Sequence, residues 1–318
     1  MKRLIAEWEK QTYIAFILPH EQTDWNEYLD EILHSYYSLI TLISKYQKVL
    51  VITQNEALAE PIATLLNVQV RKASYNDTWA RDTLPISLEN NGNIEMLNFT
   101  FNAWGGKYDY SLDNALSNTL FPSSKPTNYI LEGGAIDNNG EGLLLLHKDS
   151  FTHSRNAQDF TNIQKQLKEI FASSLLVLQN GYHLGDDTDS HIDTLARFVN
   201  EKTIFYSQSS DKKSENHLSL QAMENELKEL ATKHNLELVP IPNPAQQYYQ
   251  NRPIISTYLN FIIINSVVIV PTFGDEKDES TLRVFGQYFP TREVIGFDAN
   301  VFSRQNGSLH CACMNFYD

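Results

Sequence analysis

The chain reads as an α/β protein built from repeated hairpin, helix and strand units set radially, in the manner of a propeller. Strand-like and helix-like stretches alternate from end to end, with no long linker and no low-complexity tract. Turns recur near residues 92, 140, 201 and 266, a spacing of roughly 50 to 65 residues, which signals a structural repeat without obvious sequence identity. Polar or ionisable residues interrupt the incoming arm of each hairpin, where a strand should be apolar. The 318 residues are expected to form one domain spanning 1–318.

The elements follow in order. Residues 12–19 form a short apolar run and predict a strand; residues 25–46 repeat apolar side chains at helical spacing. Residues 49–53 are β-branched, and 57–66 are helical again. A hairpin is predicted from 83 to 101 across Asn91-Gly92, and a second from 129 to 146 across Asn139-Gly140. A third joins 188–198 to 203–207 across Asn200-Glu201, and a fourth joins 257–264 to 267–271 across Asn265-Ser266. Further helices are expected over 156–171, 214–234 and 277–288. Residues 307–316 then form a fifth incoming arm with no outgoing partner left in the chain. The strand at 13–18 is expected to complete that unit and close the ring.

The incoming arms carry Arg81-Asp82, Glu132, His191 with Asp193, Asn260 and Cys311. A ring would bring these sequence-remote groups to one hub. Cysteine, histidine and several carboxylates are the equipment for nucleophilic attack on a cationic carbon. The two cysteines sit almost at the C-terminus; on a strand Cys311 and Cys313 would share a face, so strand geometry does not choose between them.

Composition narrows the class. A formal charge of −14 argues against nucleic acid as a partner. It would concentrate a small cation, or simply keep the protein soluble. Met1-Lys2-Arg3 is followed by Ala6-Glu7-Trp8-Glu9-Lys10 rather than the apolar run of a signal peptide. The greasiest stretch, 258–270, holds Asn260 and Asn265 and is too short to span a bilayer, so no membrane is expected. Two cysteines one residue apart make no disulfide framework, which fits a reducing cytoplasm. His310-Cys311-x-Cys313 lacks a partner cluster for a metal, and none is expected. A homo-oligomer is compatible with all of this.

Six blocks carry a resemblance: Asn76-Asp77-Thr78-Trp79-Ala80-Arg81-Asp82, Asn102-Ala103-Trp104-Gly105-Gly106-Lys107-Tyr108, Leu131-Glu132-Gly133-Gly134, Asp186-Asp187-Thr188-Asp189-Ser190-His191-Ile192-Asp193, Tyr258-Leu259-Asn260-Phe261 and Gly307-Ser308-Leu309-His310-Cys311. In order and over nearly the whole chain, they resemble the agmatine deiminase branch of the guanidino-modifying enzymes, which share the bacterial peptidyl-arginine deiminase pattern. The resemblance implies a five-bladed α/β propeller (pentein) with pseudo-fivefold symmetry. It also implies hydrolysis of a guanidinium through a covalent cysteine intermediate, with no metal or organic cofactor.

By the same resemblance Cys311 is the nucleophile, His191 the general acid and base, and Asp82 and Asp193 the carboxylates that grip the guanidinium. Trp79, Glu132, Asp187 and Asn260 are candidates for substrate contact. Each has a plainer alternative: core packing for Trp79, a solvated loop acid for Asp187, bracing for Glu132, hydrogen-bond support for Asn260. His310 is expected to be structural and Arg81 to pair away from Asp82. Ser190, the lead Gly307-Ser308-Leu309 and the extra thiol Cys313 depart from the common pattern.

The substrate implied is agmatine, a small guanidino cation; the alternative is free or peptide-terminal arginine. Arginine would need a cation for its carboxylate, for which only Arg155, Arg197, Arg252 and Arg283 stand out. A non-catalytic guanidine sensor on the same fold is the remaining alternative.

Overall fold

In the computed structural model, residues 2–152, 159–209 and 211–318 are described. Five of the six sheets they form contain one motif, an antiparallel pair whose outer strand continues through a helix to a parallel partner. The parallel step needs a crossover, and an amphipathic helix supplies it while covering the sheet.

In the first unit Ile86–Asn90 pairs with Asn93–Thr100, and helix Ser111–Leu120 leads to parallel Lys125–Ile130. Asn91 and Gly92 both take positive φ, as a tight hairpin turn of two residues requires. Lys2–Leu4 adds to the free edge of Ile86–Asn90. The second unit joins Ile136–Asn138, Leu143–His147, helix Phe160–Phe171 and Ser174–Leu178. The third joins Ala196–Asn200, Thr203–Gln208, helix His217–His234 and Glu237–Pro242. In the fourth, Ile262–Ile263 pairs with Val267–Thr272, and helix Asp278–Tyr288 returns to Glu293–Asp298.

The fifth unit joins the two ends of the chain. Cys313–Phe316 runs antiparallel to Tyr13–Ile17, which continues through helix Leu29–Ser44 to Lys48–Thr53 and then Val68–Lys72. The pairing expected between the tail and residues 13–18 is therefore present. The sheets remain separate, with no closed sheet among the described residues. A small hairpin, Gln247–Tyr249 with Arg252–Ile254, stands apart.

Three sequence expectations are corrected. The helix expected over 57–66 is two short turns, Glu56–Ala59 and Glu60–Ala63, because Pro61 removes a donor. The expected helix over 156–171 begins at Phe160; its residues 156–158 lie outside the described residues. The incoming arms are shorter than expected, since the ionisable residues sit in helical turns just before the strands. Ala80–Thr83, Gly133–Ala135 and Ile192–Leu195 are such turns, and residues 308–313 close another through Ala312 N to Ser308 O and Cys313 N to His310 O. A turn of four residues is too short to show helical periodicity, and reads as an extension of the strand it precedes.

Candidate active site

These turns present their polar side chains to one another. Asp82 is buried within Ala80–Thr83, its Oδ1 accepting from Gly134 N at 2.9 Å and its Oδ2 from Trp104 Nε1 at 3.0 Å. The same Oδ2 lies 3.7 Å from His191 Nδ1, while His191 Nε2 lies 3.5 Å from Glu132 Oε2. Asp193, two residues after His191, is fully buried, and its Oδ2 accepts from His310 Nδ1 at 2.8 Å. Its other oxygen, Oδ1, is buried with no hydrogen-bond partner among the described residues.

The Cys311 sulfur stands 3.6 Å from Asp193 Oδ2 and accepts from Asn260 Nδ2 at 3.2 Å. Asn260 Oδ1 also accepts from the backbone N–H groups of His310 and Cys311, at 3.1 and 3.2 Å. From the other side Arg81 N donates to Cys311 O. The turn that carries the thiol is thus pinned on both flanks. Placing it in a turn also separates the two cysteines: Cys311 faces a cavity, whereas Cys313 is wholly buried toward Arg81.

Gly134 lets three of these groups approach. A Cβ there would stand 2.7 Å from His191 Nδ1, 3.0 Å from Asp82 Oδ1 and 3.1 Å from Asp193 Oδ2. Gly307 plays the same part beside Trp79, whose ring would lie 2.4 Å from an added Cβ.

The cavity, about 260 Å³, reaches down to Cys311 and Asp82. Trp79 and Trp104 wall it, and Asp24, Asp77, Asp109 and Asp187 line it, with no arginine or lysine in its lining among the described residues. Asp187 is held at the mouth by Tyr108, whose hydroxyl donates to Oδ2 at 3.5 Å, and its carbonyl accepts from Lys107 Nζ. Trp79 is wall and core at once, packing edge-on against Trp25 at 5.3 Å. Glu132 and Asn260 stand behind the lining, beside His191 and Cys311 respectively.

Burial and the neighbouring carboxylates Asp193 and Asp82 push the Cys311 thiol well above its ordinary range. The two acids themselves diverge. Burial raises Asp82, and Glu132 and Asp193 add to that against the pull of His191. Burial is the largest influence on Asp193 and would raise it, but the hydrogen bond from His310 together with the attraction of His310, His191 and Arg197 holds it below the usual range.

Arg81 does pair away from Asp82: its Nη2 donates to Asn315 Oδ1 at 2.7 Å. Arg197 is buried against Glu7, and Arg283 pairs with exposed Glu279, so neither faces the cavity. Arg252 begins the separate hairpin strand, and Arg155 lies outside the described residues. Trp104 is not among the sequence candidates; its place before Gly105-Gly106 in a matching block is the signal that points to it.

A thiol, an imidazole and buried carboxylates around an acidic cavity make a site suited to nucleophilic chemistry on a planar cation. A family model, Porphyromonas-type peptidyl-arginine deiminase, matches residues 3–316, and the chain belongs to that family. A solved C. jejuni agmatine deiminase, a Cys→Ser variant with substrate bound, is 42% identical, with 100% of this chain and 97% of that one covered and a TM-score of 0.96. The agmatine deiminase of Pseudomonas aeruginosa (strain LESB58) is 25% identical over 97% of this chain and 94% of its own length. An agmatine deiminase of Enterococcus faecalis, 22% identical over 99% of this chain and 95% of that one, shares the mixed α/β fold at a TM-score of 0.90.

Proposed function

We propose that the chain is a hydrolase of the guanidino group, converting agmatine and water to N-carbamoylputrescine and ammonia. The observation that carries this is the cavity itself: acids line it from mouth to floor, it ends on a cysteine, and its described lining offers no cation to meet arginine's carboxylate. Agmatine, with a cation at each end and no carboxylate, matches that lining. Arginine does not.

In this reading Asp82 and Asp193 hold the guanidinium plane through paired hydrogen bonds, with the Asp193 Oδ1 oxygen as one acceptor. Held so, the central carbon presents its face to the Cys311 sulfur, which is catalysis by orientation. The free site keeps the thiol protonated. Bound guanidinium offsets the two carboxylates and lets the thiol ionise, its proton passing to His191. Thiolate sulfur bonds to the guanidinium carbon, and the C–N bond to the terminal nitrogen breaks as His191 protonates it, releasing ammonia. His191 then takes a proton from water, which adds to the amidino carbon; the C–S bond breaks, returning thiolate and the urea product. Glu132 braces His191, Trp79 stacks along the substrate, Asp187 faces its far end and Asn260 steadies the nucleophile.

The five units read as blades of a propeller in one domain, 1–318. What supports this is that the turns before the five incoming arms supply Asp82, Glu132, His191 with Asp193, Asn260 and Cys311, which contact one another. A cytoplasmic setting suits two free thiols. Among the described residues no helix is long and apolar enough to cross a membrane.

Ammonia release from agmatine, arginine and an arginine-ended peptide, with Cys311→Ser as control, tests the reading. Turnover of agmatine alone, lost in C311S, is expected. Equal turnover of arginine, or substantial release by C311S, would overturn it.

A further inference from the structure

Asp193, buried behind Cys311, has a histidine bonded to its carboxylate. His310 Nδ1 lies 2.8 Å from Asp193 Oδ2, and His310 Nε2 lies 2.9 Å from Glu7 Oε2. A neutral imidazole has one N–H, so it could serve one carboxylate only and would turn a lone pair on the other. Both contacts are satisfied when both ring nitrogens donate. Glu7 is itself fixed: its Oε1 accepts from Ile263 N at 2.8 Å, and its Oε2 pairs with Arg197, a fully buried guanidinium lying 4.1 Å over Phe261. Arg197, Glu7, His310 and Asp193 form a continuous polar row running from the third unit to the Cys311 thiol at the cavity floor. The N-terminal segment ahead of the first unit supplies its second member.

We propose that Glu7, acting through His310, is a positioning residue that fixes and charge-balances the Asp193 carboxylate for the substrate's guanidinium. The inference rests on the reading above. A row of this kind differs from a mere strut in what it does to ligands. Glu7→Gln keeps the size of the side chain but removes its charge, and its amide N–H must face either the Ile263 N–H, on the Oε1 side, or Arg197 and His310 together, on the Oε2 side. In either orientation the carboxylate that anchors the His310 ring is gone, and the change is felt at Asp193, where the ligand's charge is met. A strut would weaken all ligands alike.

The test uses the full chain in the Cys311→Ser background, where ligands bind without turnover, and calorimetry with agmatine and with N-carbamoylputrescine, whose corresponding end is an uncharged urea. Adding Glu7→Gln should weaken agmatine by about tenfold or more, the scale of one charge-assisted hydrogen bond, and leave the urea within about twofold. Equal weakening of both ligands, or of neither, would overturn the proposal. Should the variant not fold, 15N NMR of the histidine side chains in the otherwise unaltered protein, assigned with His310→Gln, gives a second reading. N–H protons on both His310 nitrogens, as the two carboxylate contacts call for, are expected; a bare ring nitrogen would overturn it. Turnover of agmatine by the wild-type chain is measured beside these, so failure of the substrate assignment is told apart from failure of the Glu7 role.

Discussion

The indole of Trp104 donates to Asp82 Oδ2 at 3.0 Å, and with the Gly134 N–H on the other oxygen it fixes the carboxylate's plane. Trp104 is held for this task in left-handed backbone, φ 51°, an uncommon conformation for a bulky residue. The Asn102 side chain supports the turn by accepting from Gly105 N at 3.0 Å. Trp104→Phe keeps the wall and removes the donor. Steady-state kinetics should give a kcat/KM for agmatine lower by about tenfold to a hundredfold, the scale of one hydrogen bond to a charged group, with Tm nearly unchanged.

Gly134→Ala should remove at least about a hundredfold of kcat while the chain stays folded by circular dichroism. The added methyl would crowd His191, Asp82 and Asp193 at once, the groups to which the proposed reaction assigns proton transfer and guanidinium binding. An active G134A would mean that these groups are not the floor of the site.

The Cys311 thiol should behave as an unactivated thiol in the free chain. Burial and two nearby carboxylates disfavour the thiolate, so its pKa lies above the reference of 9.0. Its alkylation by iodoacetamide should therefore still be climbing at pH 9 rather than reaching a plateau near neutrality. Mass spectrometry of the tail peptide follows the rate. A plateau at neutral pH would show that the thiol is activated before the substrate arrives.

Stability should respond to Asp113. Burial pushes this carboxyl up to about 6, against the hydrogen bonds its Oδ1 accepts from Asn76 N and Asp77 N, and its Oδ2 has no partner among the described residues. A folded-state pKa above the unfolded one means the folded chain binds the extra proton. Stability from this group is thus present below the unfolded pKa and lost as pH rises through about 6. Thermal melts from pH 5 to pH 8 should show a Tm gap that shifts in favour of D113N over wild type as pH rises.

Much of the architecture was legible because its signals are local. Asn91-Gly92 and Asn265-Ser266 mark hairpins, and 25–46 and 214–234 carry enough turns of apolar periodicity to announce helices. Ser111–Leu120 gives a weaker signal, since it is short and buries only Asp113, Leu116 and Ser117, two of them polar. Cys311, His191, Asp82 and Asp193 could be named from their blocks, but not the turns that carry them. Glu7 left no signal, because its part depends on His310, 303 positions away, and only the folded chain brings the two together.

The most direct measurement is a quenched-reaction mass spectrum of the chain mixed with agmatine. The account predicts transient added mass, equal to agmatine less ammonia, on the peptide holding Cys311 and none in Cys311→Ser. Turnover with no adduct at Cys311, or an adduct on Cys313 instead, would contradict it.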